Sequence, residues 1–259
     1  MPQFDDTSPP PRPSEVTLRQ RLVETVATLR EAVLLPRDIV PIVPKGPTDD
    51  VVVVIHGIFA SAGCFRPMKR HLVDHTGAEV ASFTHAPGAR IEQIAKSLAK
   101  IVARIPEGPR IHLVGHSLGG VVARWYVQEL GGHDRITQTI SLGSPFGGTE
   151  RARLFPFLVG ADLCRSSPLL ARLRARAHEH DVPHTSIVGE ADEVILPNES
   201  AIFPRGEVHV LPGRGHNTLL FDPASVAHVV AGIQKGKRDP RSQRMRLDLT
   251  RLSRDEDEG

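Results

Sequence analysis

Residues 111–130, IHLVGHSLGGVVARWYVQEL, join an apolar run to an amphipathic one through a serine set among glycines. The run "IHLVG" has the composition of a strand buried on both faces of a sheet. The segment "VVARWYVQEL" has helical spacing and is closed by Gly131-Gly132. Between them, Gly115-His116-Ser117-Leu118-Gly119 predicts a sharp strand-to-helix turn, where a serine takes strained backbone angles and neighbouring chains approach closely. The helix that follows points its N-terminus, with its partial positive charge, at whatever forms beside that serine. Ser117 is therefore the candidate nucleophile.

Outward from this turn, "VVVVIHG" (Val51 to Gly57) predicts a second fully buried strand. Further strands are expected at Glu79 to Phe83, Ile136 to Leu142, Thr185 to Val188 and Val208 to Leu211. Helices are expected at about Ile91 to Arg104, Leu118 to Leu130, Leu169 to His178 and Pro223 to Gln234. Strands alternating with helices at these spacings imply an α/β architecture, a doubly wound, mostly parallel sheet flanked by helices.

A chain of 259 residues buries a full core as one such domain, expected over residues 48–236 with a helical cap insertion at about 150–181. Residues 1–13, acidic and rich in proline, predict disorder. In residues 14–47, Leu18, Leu22, Val26, Leu29 and Val33 recur at helical spacing, with Ser14 as the expected N-cap; this amphipathic helix is expected to pack its stripe on the domain surface, in preference to a role as a partner or membrane helix. Residues 237–259 read as a charged, flexible tail.

The N-terminus carries no secretory pattern, and no stretch approaches the roughly 20 apolar residues of a membrane span, so a cytoplasmic protein is expected. The two cysteines, Cys64 and Cys164, show no metal-ligand spacing and are expected as reduced thiols. A net charge of +2, without interleaved aromatics or a recognition motif, excludes nucleic acid as the expected partner despite arginine clusters at Arg151 to Arg176 and beyond Lys235.

A serine hydroxyl needs a base, and the base needs an orienting carboxylate. His216, in the Gly-rich loop "LPGRGHNTLLFDP" between the last strand and the last helix, is placed to reach across the sheet edge. The acid is expected after the strand Thr185 to Val188, in "VGEADEVILPNES". Glu190, Asp192 and Glu193 all qualify chemically. Asp192 is preferred because Val194 and Ile195 then turn inward, and Asp162 is a weaker candidate. An oxyanion needs two backbone N–H donors: Leu118, after the nucleophile, and Ile58, after the first strand, with Phe59 as the alternative to Ile58.

Together, "VIHGIFAS", "VGHSLGG", "SLGSPFGGT", "GEADEVILPNES" and "GRGHNTLL" resemble, in order, the motifs of the α/β-hydrolase fold, and within it the bacterial triacylglycerol lipase and esterase group. The resemblance spans about Val51 to Val230. It implies Ser117 as nucleophile, His216 as base, Asp192 as acid, and Ile58 and Leu118 as the oxyanion hole of a carboxylic ester hydrolase. Ser144 and Phe146 depart from the Thr and His often found in the third motif. No metal site and no cofactor are expected.

Phe59, Phe146, Phe155 and Phe157 are the expected substrate-binding side chains. The cap's apolar run at Leu154 to Val159, beside Arg151, Arg153, Arg172, Arg174 and Arg176, either packs against the core or covers the site, and in the second case implies small-molecule ester or lipid substrates and a peripheral membrane contact through the cap. The same triad serves amidases, thioesterases and acyltransferases, and the fold also hosts non-catalytic binding proteins. The sequence leaves the oligomeric state open.

Overall fold

The computed structural model describes residues 16–44, 46–154 and 160–239. Its six strands are β1 (Asp50–Ile55), β2 (Glu79–Ser82), β3 (Arg110–His116), β4 (Ile136–Leu142), β5 (His184–Gly189) and β6 (Glu207–Leu211). They lie in the order β2-β1-β3-β4-β5-β6, and every pairing between them is parallel. An antiparallel bridge from Ile42 to Ser82 lies outside these ladders. The expected doubly wound sheet is present.

The β-branched run of β1 shows why the pattern reads as it does. Val51, Val53 and Ile55 pack in one apolar cluster with Ile94, Leu98 and Val121, while Val52 and Val54 pack in the other with Met68, Leu72 and Val229. Alternate side chains of one strand thus fill opposite cores. Helices α3 (Ile91–Val102) and α4 (Leu118–Glu129) cover the first face; α2 (Arg66–Thr76) and α7 (Pro223–Arg238) cover the second. Helix α2 was not among the expected helices, because its sequence "RPMKRHLVDHT" is mostly polar and buries only Met68, Leu72 and Thr76. Its signals are a proline in the first turn and Gly77 in the left-handed conformation at its end.

At the amino ends of the strands, Asp50 of β1 is buried and accepts hydrogen bonds from Arg110 at 2.6 and 2.8 Å, while Lys237 lies 3.0 Å away. Burial pushes the carboxyl toward neutrality, but Arg110, His112 and Lys237 outweigh it and hold Asp50 far below the usual carboxylate range. Lys237 and Arg238 therefore belong to α7, not to the expected flexible tail, whose remainder from residue 240 lies outside the described residues, as do residues 1–13 and Ser14.

Helix α1 (Leu18–Leu34) begins at Thr17, whose hydroxyl accepts the Gln20 N–H while the Gln20 side chain accepts the Thr17 N–H. Its orientation corrects the sequence expectation: Leu18, Leu22, Val26, Leu29 and Val33 face solvent. The side turned to the body carries Gln20, Glu24, Ala27, Glu31 and Leu34. In the insertion after β4, the short α5 (Gly160–Leu163) and α6 (Pro168–Ala175) bury Leu163, Leu170 and Leu173 against the core.

Candidate active site

Ser117 sits where β3 passes into α4, with φ 53° and ψ −123°, a conformation that costs a side-chain-bearing residue on the order of 1–3 kcal/mol. Its N–H donates to the Leu142 carbonyl at 2.9 Å, fixing the turn to the end of β4. The turn is possible because a Cβ at Gly119 would lie 2.0 Å from the Ile55 carbonyl oxygen, and one at Gly57 2.9 Å from the Ser117 Cβ. The Ile55 backbone at the first position and the Ser117 side chain at the second leave room only for hydrogen.

His216 and Asp192 come from the loops after β6 and β5. His216 Nδ1–H donates to Asp192 Oδ2 at 2.7 Å, and both side chains are buried. The other Asp192 oxygen accepts the N–H groups of Val194 and Ile195 at 2.8 and 2.9 Å, so the carboxylate cannot swing away. Burial lowers the His216 pKa, yet Asp192 outweighs it, with further help from Glu24 and Glu31, and the net shift is upward. Gly143, next to Leu142, brings this pair toward the serine turn: a Cβ there would be 3.2 Å from both Asp192 Oδ2 and His216 Nδ1. Serine turn, histidine and carboxylate thus gather at the carboxyl ends of the strands.

The rival acids are engaged elsewhere. Glu190 accepts the Gly213 N–H at 2.9 Å, Glu193 pairs with Arg21 at 3.2 Å, and Asp162 is bound by Arg90. Leu118 opens α4, and Ile58 lies in the turn after β1; no protein acceptor for either N–H is found among the described residues. Beside Ile58, His56 and His85 stack with ring centroids 3.9 Å apart. Burial pulls the His56 pKa down to about 3, so its ring is neutral, donating from Nδ1 to the Gly57 carbonyl and accepting the His85 N–H at Nε2.

Sequence reasoning missed three supporting groups. His116 Nε2–H donates to the His216 carbonyl at 3.2 Å, tying the serine turn to the histidine loop. Glu24 of α1 accepts the N–H groups of Asn217 and Thr218, and Thr28 accepts from the Asn217 side chain at 2.9 Å. The His56–His85 stack is the third. The one trace of the Glu24 contact in the sequence is a second, polar stripe on α1.

The aromatic candidates divide. Phe59 is half exposed, with φ 59°, directly after Ile58. Phe146 is a correction: it is fully buried, packing edge-on against Phe203 and His184 at centroid distances of 5.0 and 5.3 Å, and belongs to the core. Phe155 and Phe157 lie outside the described residues. Among the described residues, no group of three or more His, Cys, Asp or Glu is placed to hold a metal ion.

The sequence model of the palmitoyl protein thioesterase family matches residues 51–181, from β1 through the insertion. The chain belongs to that family. This thioesterase-family chain also superposes on lipase and esterase structures of the α/β-hydrolase fold. The mature lipase BlEst2 of Bacillus licheniformis aligns with a TM-score of 0.60 at 14% identity, over 75% of this chain and 96% of the lipase. The monoacylglycerol lipase of Paleococcus ferrophilus gives 0.60 at 17%, over 77% and 100%. An esterase of Pyrobaculum calidifontis gives 0.57 at 16%, over 86% and 94%.

Proposed function

We propose that this member of the thioesterase family is a serine hydrolase that transfers the acyl group of lipid-like esters or thioesters to water. The observation that carries the proposal is the buried His216–Asp192 pair, held at 2.7 Å on the strand ends where Ser117 adopts its strained turn. His216 takes the Ser117 proton as Oγ attacks the acyl carbonyl carbon. The N–H groups of Ile58 and Leu118 bind the oxyanion that forms. Collapse of the tetrahedral species breaks the bond to the alcohol or thiol, which leaves with the proton from His216, and an acyl ester remains on Ser117. Water, deprotonated by His216, then attacks that ester; collapse breaks the bond to Ser117 Oγ, which takes the proton back from His216 as the carboxylic acid leaves. Phe59, exposed beside the oxyanion turn, is the proposed contact for the acyl chain.

The family match favours thioesters as substrates, and the lipase and esterase neighbours favour oxygen esters. A panel of acyl esters, thioesters and amides of matched chain length, with a fluorophosphonate label as the probe of the nucleophile, tests the proposal. Expected are one label on Ser117, none on Ser117→Ala, and hydrolysis of esters or thioesters that this variant loses by several orders of magnitude. Labelling elsewhere, or an active Ser117→Ala protein, overturns it. Preference for amides would overturn the substrate class alone.

A further inference from the structure

Helix α1 is amphipathic, but it is mounted with its polar side inward. Glu24 and Glu31 turn toward the body, and Leu18, Leu22, Val26, Leu29 and Val33, at the three- and four-residue spacing of one helical face, are 59% to 76% exposed. The segment after the helix continues this surface with Leu35, Ile39, Val40 and Ile42. Counting Val23, ten of the fifteen exposed large apolar side chains among the described residues fall between residues 18 and 42. Such a concentration on one surface marks an interaction site.

Charge selects the occupant. Both acids of α1 face the body, so its exposed positions carry arginine as their only charge: Arg19, Arg21, which pairs with Glu193, and Arg30, which lies over the Phe221 ring, joined by Arg37 just beyond the helix. The nearby Asp38 is largely buried and neutralised by Arg66 and Lys69. Exposed aliphatic side chains bordered by cations, without an exposed acid on the helix, are the composition of a helix that lies in the surface of an anionic bilayer. A second copy of the chain fits less well, because a symmetric pair would set these arginines against one another with no acid between them. Three arginines of the cap insertion are less suited to this role: Arg172 and Arg176 both bind Glu129, and Arg174 donates to the Phe146 carbonyl.

We propose that the outer face of α1, continued by residues 35–42, is a docking surface for membranes rich in anionic lipid. The helix lies flat with its leucine and valine side chains among the acyl chains and its arginines at the headgroups. Its inner face stays bonded to the loop that carries His216. The inference does not rest on the acyl-hydrolase proposal, since docking requires no chemistry at Ser117.

Co-sedimentation of the full chain with phosphatidylcholine vesicles, with and without phosphatidylserine, tests it. Association is expected with the phosphatidylserine vesicles and should fall as salt is raised. The triple variant Leu22→Ser, Val26→Ser, Leu29→Ser removes exposed side chains only, so it should keep its melting temperature and its activity on a soluble short-chain substrate. Its partition onto vesicles should fall on the order of a hundredfold. Arg19→Glu with Arg37→Glu should abolish the preference for phosphatidylserine. Ser117→Ala should dock as the intact protein does, which separates this result from failure of the catalytic proposal. Absence of association, equal association with pure phosphatidylcholine, or undiminished docking of the triple variant overturns the inference. So does a concentration-dependent dimer that the triple variant dissolves, which would assign the face to a second copy.

Discussion

Glu24 takes both polar hydrogens of Thr218, the backbone N–H at 3.0 Å and the hydroxyl at 2.8 Å. With the Asn217 N–H at 2.6 Å, its carboxylate holds the two residues that follow His216. Glutamine offers one acceptor oxygen where glutamate offers two. Glu24→Gln should therefore lower kcat by about tenfold to a hundredfold through misplacement of the imidazole, with a smaller change in KM. Steady-state kinetics on a soluble substrate check this.

The upward shift of His216 sets a pH dependence. The base must be neutral to accept the Ser117 proton, so kcat/KM should rise with pH through a midpoint above the ordinary imidazole value of about 6.5. Removing the negative charge at Glu24 or Glu31 should move that midpoint down, since both raise the His216 pKa. A pH profile of kcat/KM for Glu24→Gln and Glu31→Gln reads the sign directly.

Asp192→Asn should lower kcat by about 10⁴-fold, because the amide no longer fixes the tautomer of His216 or stabilises its charged form. Glu190→Gln and Glu193→Gln should leave turnover nearly unchanged, as neither carboxylate meets His216. Parallel kinetics on the three variants test the assignment.

Gly119→Ala should be inactive and less stable, because its methyl would stand 2.0 Å from the Ile55 carbonyl oxygen and force the serine turn away from β1. Loss of fluorophosphonate labelling together with a lowered melting temperature is the expected result.

Asp50→Asn should cost about 3 kcal/mol, since Arg110 and Lys237 would keep their charges without the carboxylate. The folded pKa of Asp50 is depressed, so its contribution is present above the unfolded value of about 3.9 and is lost as pH falls below it. Urea unfolding of wild type and variant should show a gap at neutral pH that closes in acid.

The sheet and the serine turn were legible because each is encoded within a few consecutive residues. Five apolar residues in a row specify a strand buried on two faces, and glycines around one serine specify a turn pressed against neighbouring backbones. The preference for Asp192 over Glu190 and Glu193 rested on Val194 and Ile195 turning inward; Ile195 is buried but Val194 is 40% exposed, and it is the N–H groups of both that bind Asp192. What escaped depends on distant partners. Periodicity revealed two faces on α1 but not which one the body would take, because the groups that receive Glu24 lie almost two hundred residues away. Phe146 looked like pocket lining for the same reason: Phe203 and His184, which enclose it, belong to later strands and loops.

The separation of 194 positions between Glu24 and Thr218 also orders events during synthesis. Helix α1 leaves the ribosome first, yet the groups that receive its polar side are among the last to emerge. Through most of translation the nascent chain therefore carries α1 without its Glu24 contact, held near its C-terminal end through Ser61, and closure of the Glu24 contact reports that the histidine loop has arrived. Ribosome-bound chains halted before residue 217 would lack the Glu24 anchor of α1, and would leave that helix more sensitive to protease than it is in the finished chain.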